Sequence, residues 1–151
     1  MDHCEILSNL CNGGHVQNFV DLSSETGRTG ATAIGGGMYI SNIEPADVSI
    51  VDSTFSNNTV RGGDAFVVLY QIAGSGGGNS NGGGLAVRTA ATLLLHEVSF
   101  VGNQAVAGLG DESFVDGIAQ GGGLWKSWDA VGSLHCRGCR FDTNFVGVYP
   151  T

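Results

Sequence analysis

The sequence predicts an all-β chain, a right-handed, single-stranded parallel β-helix of about three to four rungs with long loop insertions on one face. Three observations predict it. Gly-Gly-Gly stands at 35–37, 82–84 and 121–123. Phe follows the first Gly of each triplet by 20, 18 and 20 residues, at Phe55, Phe100 and Phe141, and Asn follows each Phe three residues later, at Asn58, Asn103 and Asn144. Between these anchors the apolar residues lie two apart, the period of a strand with one buried face, and no 3.6-residue period competes.

The elements follow in order. Aligning Gly13-Gly14 with Gly62-Gly63 places Asn9 on Asn58 and Ile6 on Phe55. Residues 1–34 therefore read as half a repeat, followed by repeats 35–81, 82–120 and 121–151 of one partial domain. Because the chain starts in mid-repeat, it is expected to be a piece of a longer solenoid, with neighbouring rungs as partners. After each Gly triplet a strand begins, with Met38 and Ile40, then Leu85 and Val87, pointing one way; Lys126 breaks this pattern in the last copy and marks an exposed rung. A second strand aligns Val48-Ser49-Ile50 with Leu93-Leu94-Leu95 and Leu134-His135-Cys136. The inward positions then jump by three, from Ile50 to Ser53, so the chain bends there and enters a third strand carrying Ser53 and Phe55, Val98 and Phe100, or Cys139 and Phe141. One repeat is thus three short strands. Successive rungs at the ~4.8 Å strand spacing would stack Phe on Phe and string the Asn amides into a ladder. The Gly triplets supply positive φ at the opposite corner.

Composition agrees. Gly accounts for 26 of 151 residues, about 17%, more than twice the usual share. It does not recur every third residue, which excludes collagen. Acidic residues outnumber basic ones 14 to 6, for a net charge of −8, which argues against a nucleic-acid partner. No run of about 18 apolar residues is present to span a membrane. The opening Met-Asp-His-Cys lacks the basic and apolar regions of a signal peptide.

The Gly-Gly-Gly-Met of 35–38, the Gly-Gly-Gly-Leu of 82–85 and 121–124, and Phe55–Asn58, Phe100–Asn103 and Phe141–Asn144 resemble the repeats of chlamydial-type polymorphic outer-membrane proteins. That family alternates a Gly-Gly-Ala-Ile type motif with Phe-x-x-Asn. The likeness covers roughly residues 35–144, plus the half-copy at 6–9. Gly replaces Ala throughout, the connections between copies are longer than the family's, and no barrel segment follows. The resemblance implies a pectate-lyase-like solenoid, a non-catalytic adhesin or passenger module. It also implies an extracellular or cell-surface location (outer-membrane associated if the source is bacterial) and a host or matrix surface protein or glycan as partner.

From each Asn to the next triplet run residues 10–34, 59–81 and 104–120, which are 25, 23 and 17 residues long. A plain corner needs only a few, so each segment carries an insertion. All three leave from the same corner and should project from one face, where solenoids commonly bind their partners. The apolar run Ala65–Ile72 in the second is expected to form a strand or short helix covering the stack, and 74–84 to be mobile.

Candidate chemistry is sparse. Asp52 and Glu97 align on adjacent rungs and point outward, ~5 Å apart, the separation of a retaining glycosidase pair. They carry the alternative, a polysaccharide-active lyase or hydrolase or a fragment of one; the plain reading is two acids on a solvated bend. Cys4, Cys11, Cys136 and Cys139 include a Cys-x-x-Cys, but the register aligns all four with inward positions, the two pairs at opposite ends of the stack. Core thiols are expected, not a zinc site or a Cys4–Cys11 disulfide. Asp111, Glu112 and Asp116 form an acidic loop without calcium-loop spacing; a weakly held Ca²⁺ is the only cofactor in view, and no residue is assigned to cofactor or metal binding. His3, His15, His96 and His135 share no register. Trp125 and Trp128 flank the last glycine strand as packing residues, and a Gly-x-Gly-x-x-Gly forced onto 74–84 is followed by no helix. Asn57-Asn58-Thr59 is a glycosylation sequon for a chain that passes through a eukaryotic secretory route.

Overall fold

The computed structural model describes residues 1–14, 16–17, 29–41, 47–66, 76–88, 92–110, 116–127 and 132–148. Every regular element among them is a strand, and every pairing is parallel. No helix long and apolar enough to cross a membrane occurs among these residues.

Strands from successive repeats lie side by side in five stacked sheets. The first joins Ala33–Ile34, Ser80–Asn81 and Ala119–Gln120. The second joins Met38–Ser41, Leu85–Arg88 and Leu124–Lys126, and the third Val48–Val51, Leu93–His96 and Leu134–Arg137. The fourth holds Glu5–Leu7, Thr54–Ser56, Ser99–Val101 and Arg140–Asp142. The fifth holds Leu10–Asn12, Thr59–Arg61, Gln104–Ala107 and Phe145–Val148. A two-stranded pair, Val16–Gln17 with Ala65–Phe66, lies beyond the fifth, so the apolar run of the second insertion does begin as strand; its remainder lies outside the described residues.

The register is the predicted one. Met38, Leu85 and Leu124 are partners, as are Ile50, Leu95 and Cys136, and Ile6, Phe55, Phe100 and Phe141. The count of strands is corrected: among the described residues repeat 82–120 has five, not three, and repeat 35–81 has the same five plus Ala65–Phe66. The extra strands follow the Asn and precede the Gly triplet. Their inward residues are small, Val60 and Ala105 in one and Ala33 and Ser80 in the other, all buried. Small inward residues make a narrow side that carries little periodic hydrophobic signal.

Three columns of left-handed residues turn the chain between sheets. Gly35, Gly82 and Gly121 (φ 72°, 74° and 64°) separate the first sheet from the second. His3, Asp52, Glu97 and Gly138 (φ 49°, 44°, 54° and 65°) separate the third from the fourth, at the predicted bend. Ser8, Asn57, Gly102 and Thr143 (φ 54°, 55°, 63° and 51°) separate the fourth from the fifth. Gly adopts this conformation without strain, and Asn, Asp and His tolerate it better than most residues.

The core lies between the second, third and fourth sheets, around Ile50, Phe55, Leu85, Leu93, Leu95, Val98 and Phe100. Phe100 stacks between Phe55 and Phe141, with ring centroids 5.0 and 4.9 Å away. Beside the rings runs the Asn ladder. Nδ2 of Asn9, Asn58 and Asn103 each donates to Oδ1 of the next Asn at 2.9–3.0 Å, and the backbone N–H of each donates to the same oxygen at 3.0–3.1 Å. Nδ2 of Asn58, Asn103 and Asn144 also donates to the carbonyl of Ile6, Phe55 and Phe100 one layer back. A buried carboxamide is thereby satisfied on both sides.

Candidate functional site

Asp52 and Glu97 occupy adjacent layers of one left-handed column. The Asp52 N–H donates to the His96 carbonyl, and a Cβ on Gly138 in the next layer would meet Cγ of Glu97 at 3.1 Å. Asp52 is engaged by His3, whose Nε2 lies 3.4 Å from Oδ2, while His3 Nδ1 lies 2.6 Å from Asp2 Oδ1. Glu97 Oε1 lies 3.8 Å from His96 Nε2. Asp2, His3 and Asp52 bring three ligand atoms within 4.8 Å of one another, all on exposed residues. Two carboxylates and one imidazole with no buried wall are a surface charge network, and the corner's φ accounts for Asp and His there without chemistry.

The described histidines stand in three different columns, as their register predicts, yet His96 and His135 share one sheet face. His3 is at the corner, His96 pairs with Arg137, and His135 pairs with Leu94, all on or next to the outer face of the third sheet. That face carries a shallow depression of about 640 Å³ lined by residues 94–96 and 134–137. Sequence reasoning missed it because the contributors come from two repeats and share no motif. The signal that could have found it is the parity of the aligned strands, which turns Leu94, His96, His135 and Arg137 outward together.

The four thiols are free, and their inward register is correct, but the core-thiol expectation holds only in part. Cys139 packs against the core beside Leu95; Cys4 and Cys11 are half-buried; Cys136 is exposed, although its partners Leu95 and Ile50 are buried. All four lie in the first or last layer, where one side of an inward residue is uncovered. Packing of its sulfur on the neighbouring residues, and then the adjacent Cys139 thiol, push the Cys136 thiol up to about 11.

The insertions do leave from one corner, and glycine forms their necks. The Gly117 N–H donates to Gly108 O, Gly108 to Gly78, Gly78 to Gly63, Gly63 to Ala31 and Ala31 to Gly14, at 2.8–3.1 Å. Outgoing and returning legs of all three insertions thus alternate in one backbone ladder. The approach is too close for side chains: a Cβ on Gly63 would lie 2.0 Å from Gly14 O, and one on Gly78 2.2 Å from Ala31 O. The insertions begin later than the Asn residues suggest, after Asn12, Arg61 and Ala107, because the fifth sheet intervenes. At the second neck, buried Asp64 pairs with Arg61 at 2.6 Å and accepts from the Leu109 N–H at 2.9 Å. Asp116 is exposed and accepts from the Gly110 N–H at 2.9 Å; Asp111 and Glu112 lie outside the described residues, as do His15, Trp128 and most of 66–75. The Trp125 indole donates to Gln120 Oε1 at 2.9 Å.

Comparison with family profiles, curated proteins and solved structures finds no match to the chain.

Proposed function

We propose that this chain is a non-catalytic module of a surface or secreted protein, a right-handed parallel β-helix that displays its three insertions to a host or matrix protein or glycan. The observation that carries the proposal is the glycine ladder, which fixes the necks of all three insertions in consecutive layers of one corner. A partner meeting that corner meets all three insertions at once. The motif resemblance to polymorphic outer-membrane repeats supports the same reading, and the continuing Phe and Asn columns fit a stack extended by further rungs of a parent protein. The polysaccharide-active alternative has less support, since Asp52 is already engaged by His3 and Glu97 is exposed beside His96.

The test is surface plasmon resonance of the chain against immobilised matrix proteins and a glycan panel, with variants in which 18–28, 67–75 or 111–115 is replaced by a short Gly-Ser bridge. Saturable binding that falls with loop replacement while the melting temperature holds supports the proposal. Binding indifferent to all three replacements, or turnover of pectate, alginate or chondroitin that vanishes in Asp52→Ala, overturns it.

A further inference from the structure

Apart from the insertions, the outer face of the third sheet offers a second place for a ligand. Leu95 and Cys136 point inward in register, so Leu94 with His135 and His96 with Arg137 form a two-by-two block of outward side chains on neighbouring strands. The depression of about 640 Å³ lies over this block, within the size range of small-ligand sites.

The block is chemically specific. Arg140 is held by Asp142 at 2.5 Å and Arg61 by Asp64 at 2.6 Å. Arg137 is exposed and has no ion pair among the described residues, so its fork of donors is uncommitted. His135 Nε2 lies 3.2 Å from Ser133 Oγ, whose own hydroxyl donates to Thr92 Oγ1 at 3.3 Å. His135 is thereby anchored to Ser133 through Nε2, which leaves Nδ1 open to a ligand hydroxyl. His96 Nε2 lies 3.8 Å from Glu97 Oε1, an acceptor at the rim. Leu94 gives an exposed apolar floor. A guanidinium fork, an open imidazole nitrogen, a rim carboxylate and an apolar patch match a carboxylate, ring hydroxyls and the C–H face of one sugar.

We infer that the outer face of the third sheet is a binding subsite for a uronic-acid residue of an acidic glycan, with Arg137 taking the carboxylate, His135 and Glu97 the hydroxyls, and Leu94 the ring face. The site is separate from the insertion corner, so either can fail without the other. An open depression on a flat sheet accepts an internal residue of a polymer as readily as an end.

The test is calorimetric titration of the folded chain with trigalacturonate, the neutral trisaccharide maltotriose and inorganic phosphate, repeated on Arg137→Ala, His135→Ala and Arg140→Ala. The expected result is saturable binding of trigalacturonate alone, weakened about tenfold or more by Arg137→Ala, less by His135→Ala, and unchanged by Arg140→Ala. Circular dichroism confirms that each variant stays folded. No binding of trigalacturonate, equal binding of maltotriose, equal binding of phosphate, or equal losses in the two arginine variants each overturns the inference. The last two outcomes would reduce the site to general charge attraction.

Discussion

Phe100→Ala is the sharpest test of the stacked register. The ring is fully buried at 0% exposure and touches Phe55 on one side and Phe141 on the other. Truncating a buried Phe costs about 3–5 kcal/mol in lost transfer energy and cavity. Here the upper half of that range applies, because the parallel ladders hold the layers at fixed spacing and the hole cannot close by sliding. The walls nearest the ring are also glycine backbone: a Cβ on Gly84 or Gly123 would lie 3.1 or 3.2 Å from Phe100 atoms. Phe141 occupies the same column but is 51% exposed and has one ring neighbour. Scaled by that exposure, its truncation costs about 2 kcal/mol. At about 2–4 °C per kcal/mol for a chain of this size, Phe100→Ala lowers the melting temperature by about 8–20 °C and Phe141→Ala by about 4–8 °C, roughly half as much. Urea unfolding followed by far-ultraviolet circular dichroism measures both. Equal losses at the two positions, or a loss below about 1 kcal/mol at Phe100, would refute the column of rings as a source of stability.

Three further outcomes follow from the same geometry. Asn103→Ala leaves the Asn58 N–H, one Nδ2 hydrogen of Asn58 and the Phe55 carbonyl without the partner that Asn103 gives them, so it costs about 3 kcal/mol or more in urea unfolding, with Asn144→Ala costing less; equal and small losses would show that the amide column is decorative. Gly78→Ala drives a methyl to 2.2 Å from Ala31 O and costs about 3 kcal/mol, whereas Gly14→Ala meets nothing closer than 4.0 Å and stays within about 0.5 kcal/mol; similar melting temperatures for the two variants would discount the neck ladder. Cys136, held near 11 against an ordinary 9.0, alkylates with iodoacetamide at pH 8 about tenfold more slowly in the folded chain than in urea. Because the folded thiol keeps its proton above the unfolded value, its contribution to stability is present below about 9 and lost as pH rises towards about 11. Faster alkylation in the folded state would contradict that environment.

The parts of the fold legible in the sequence are those with large inward side chains. Phe, Leu and Ile at fixed offsets from a Gly triplet determine the register of the second, third and fourth sheets, and the pairings follow it residue for residue. The first and fifth sheets were not legible as strands, since Ala33, Ser80, Val60 and Ala105 fill a narrow side where small size, not hydrophobicity, is selected. The cysteines show a second limit. Alignment gives direction, inward or outward, but not cover, and Cys136 points inward in the last layer yet is exposed. The candidate subsite was illegible for a third reason: Leu94 and Arg137 belong to different repeats, and neither looks unusual until the strands are laid side by side.

Glycine performs two separate tasks in this chain, and the difference bears on function. At Gly35, Gly82 and Gly121 it supplies a backbone conformation, a task that Asp52 and Asn57 share at the other corners. At Gly63, Gly78 and Gly108 it supplies the absence of a side chain, because neighbouring carbonyls sit where a Cβ would be. The second task joins the bases of the insertions through a backbone ladder, to which Asp64 adds a side-chain bond at the second neck. Backbone N–H and C=O groups are the same whatever residues lie beyond them, so this ladder lets the insertions differ in length and composition while the layers beneath keep their register. Loop length itself adds little to the free-energy cost, since closure entropy grows only with its logarithm. A stack whose stability lies in the Phe and Asn columns, and whose insertions are set behind glycine necks, is free to change those segments without changing how it folds.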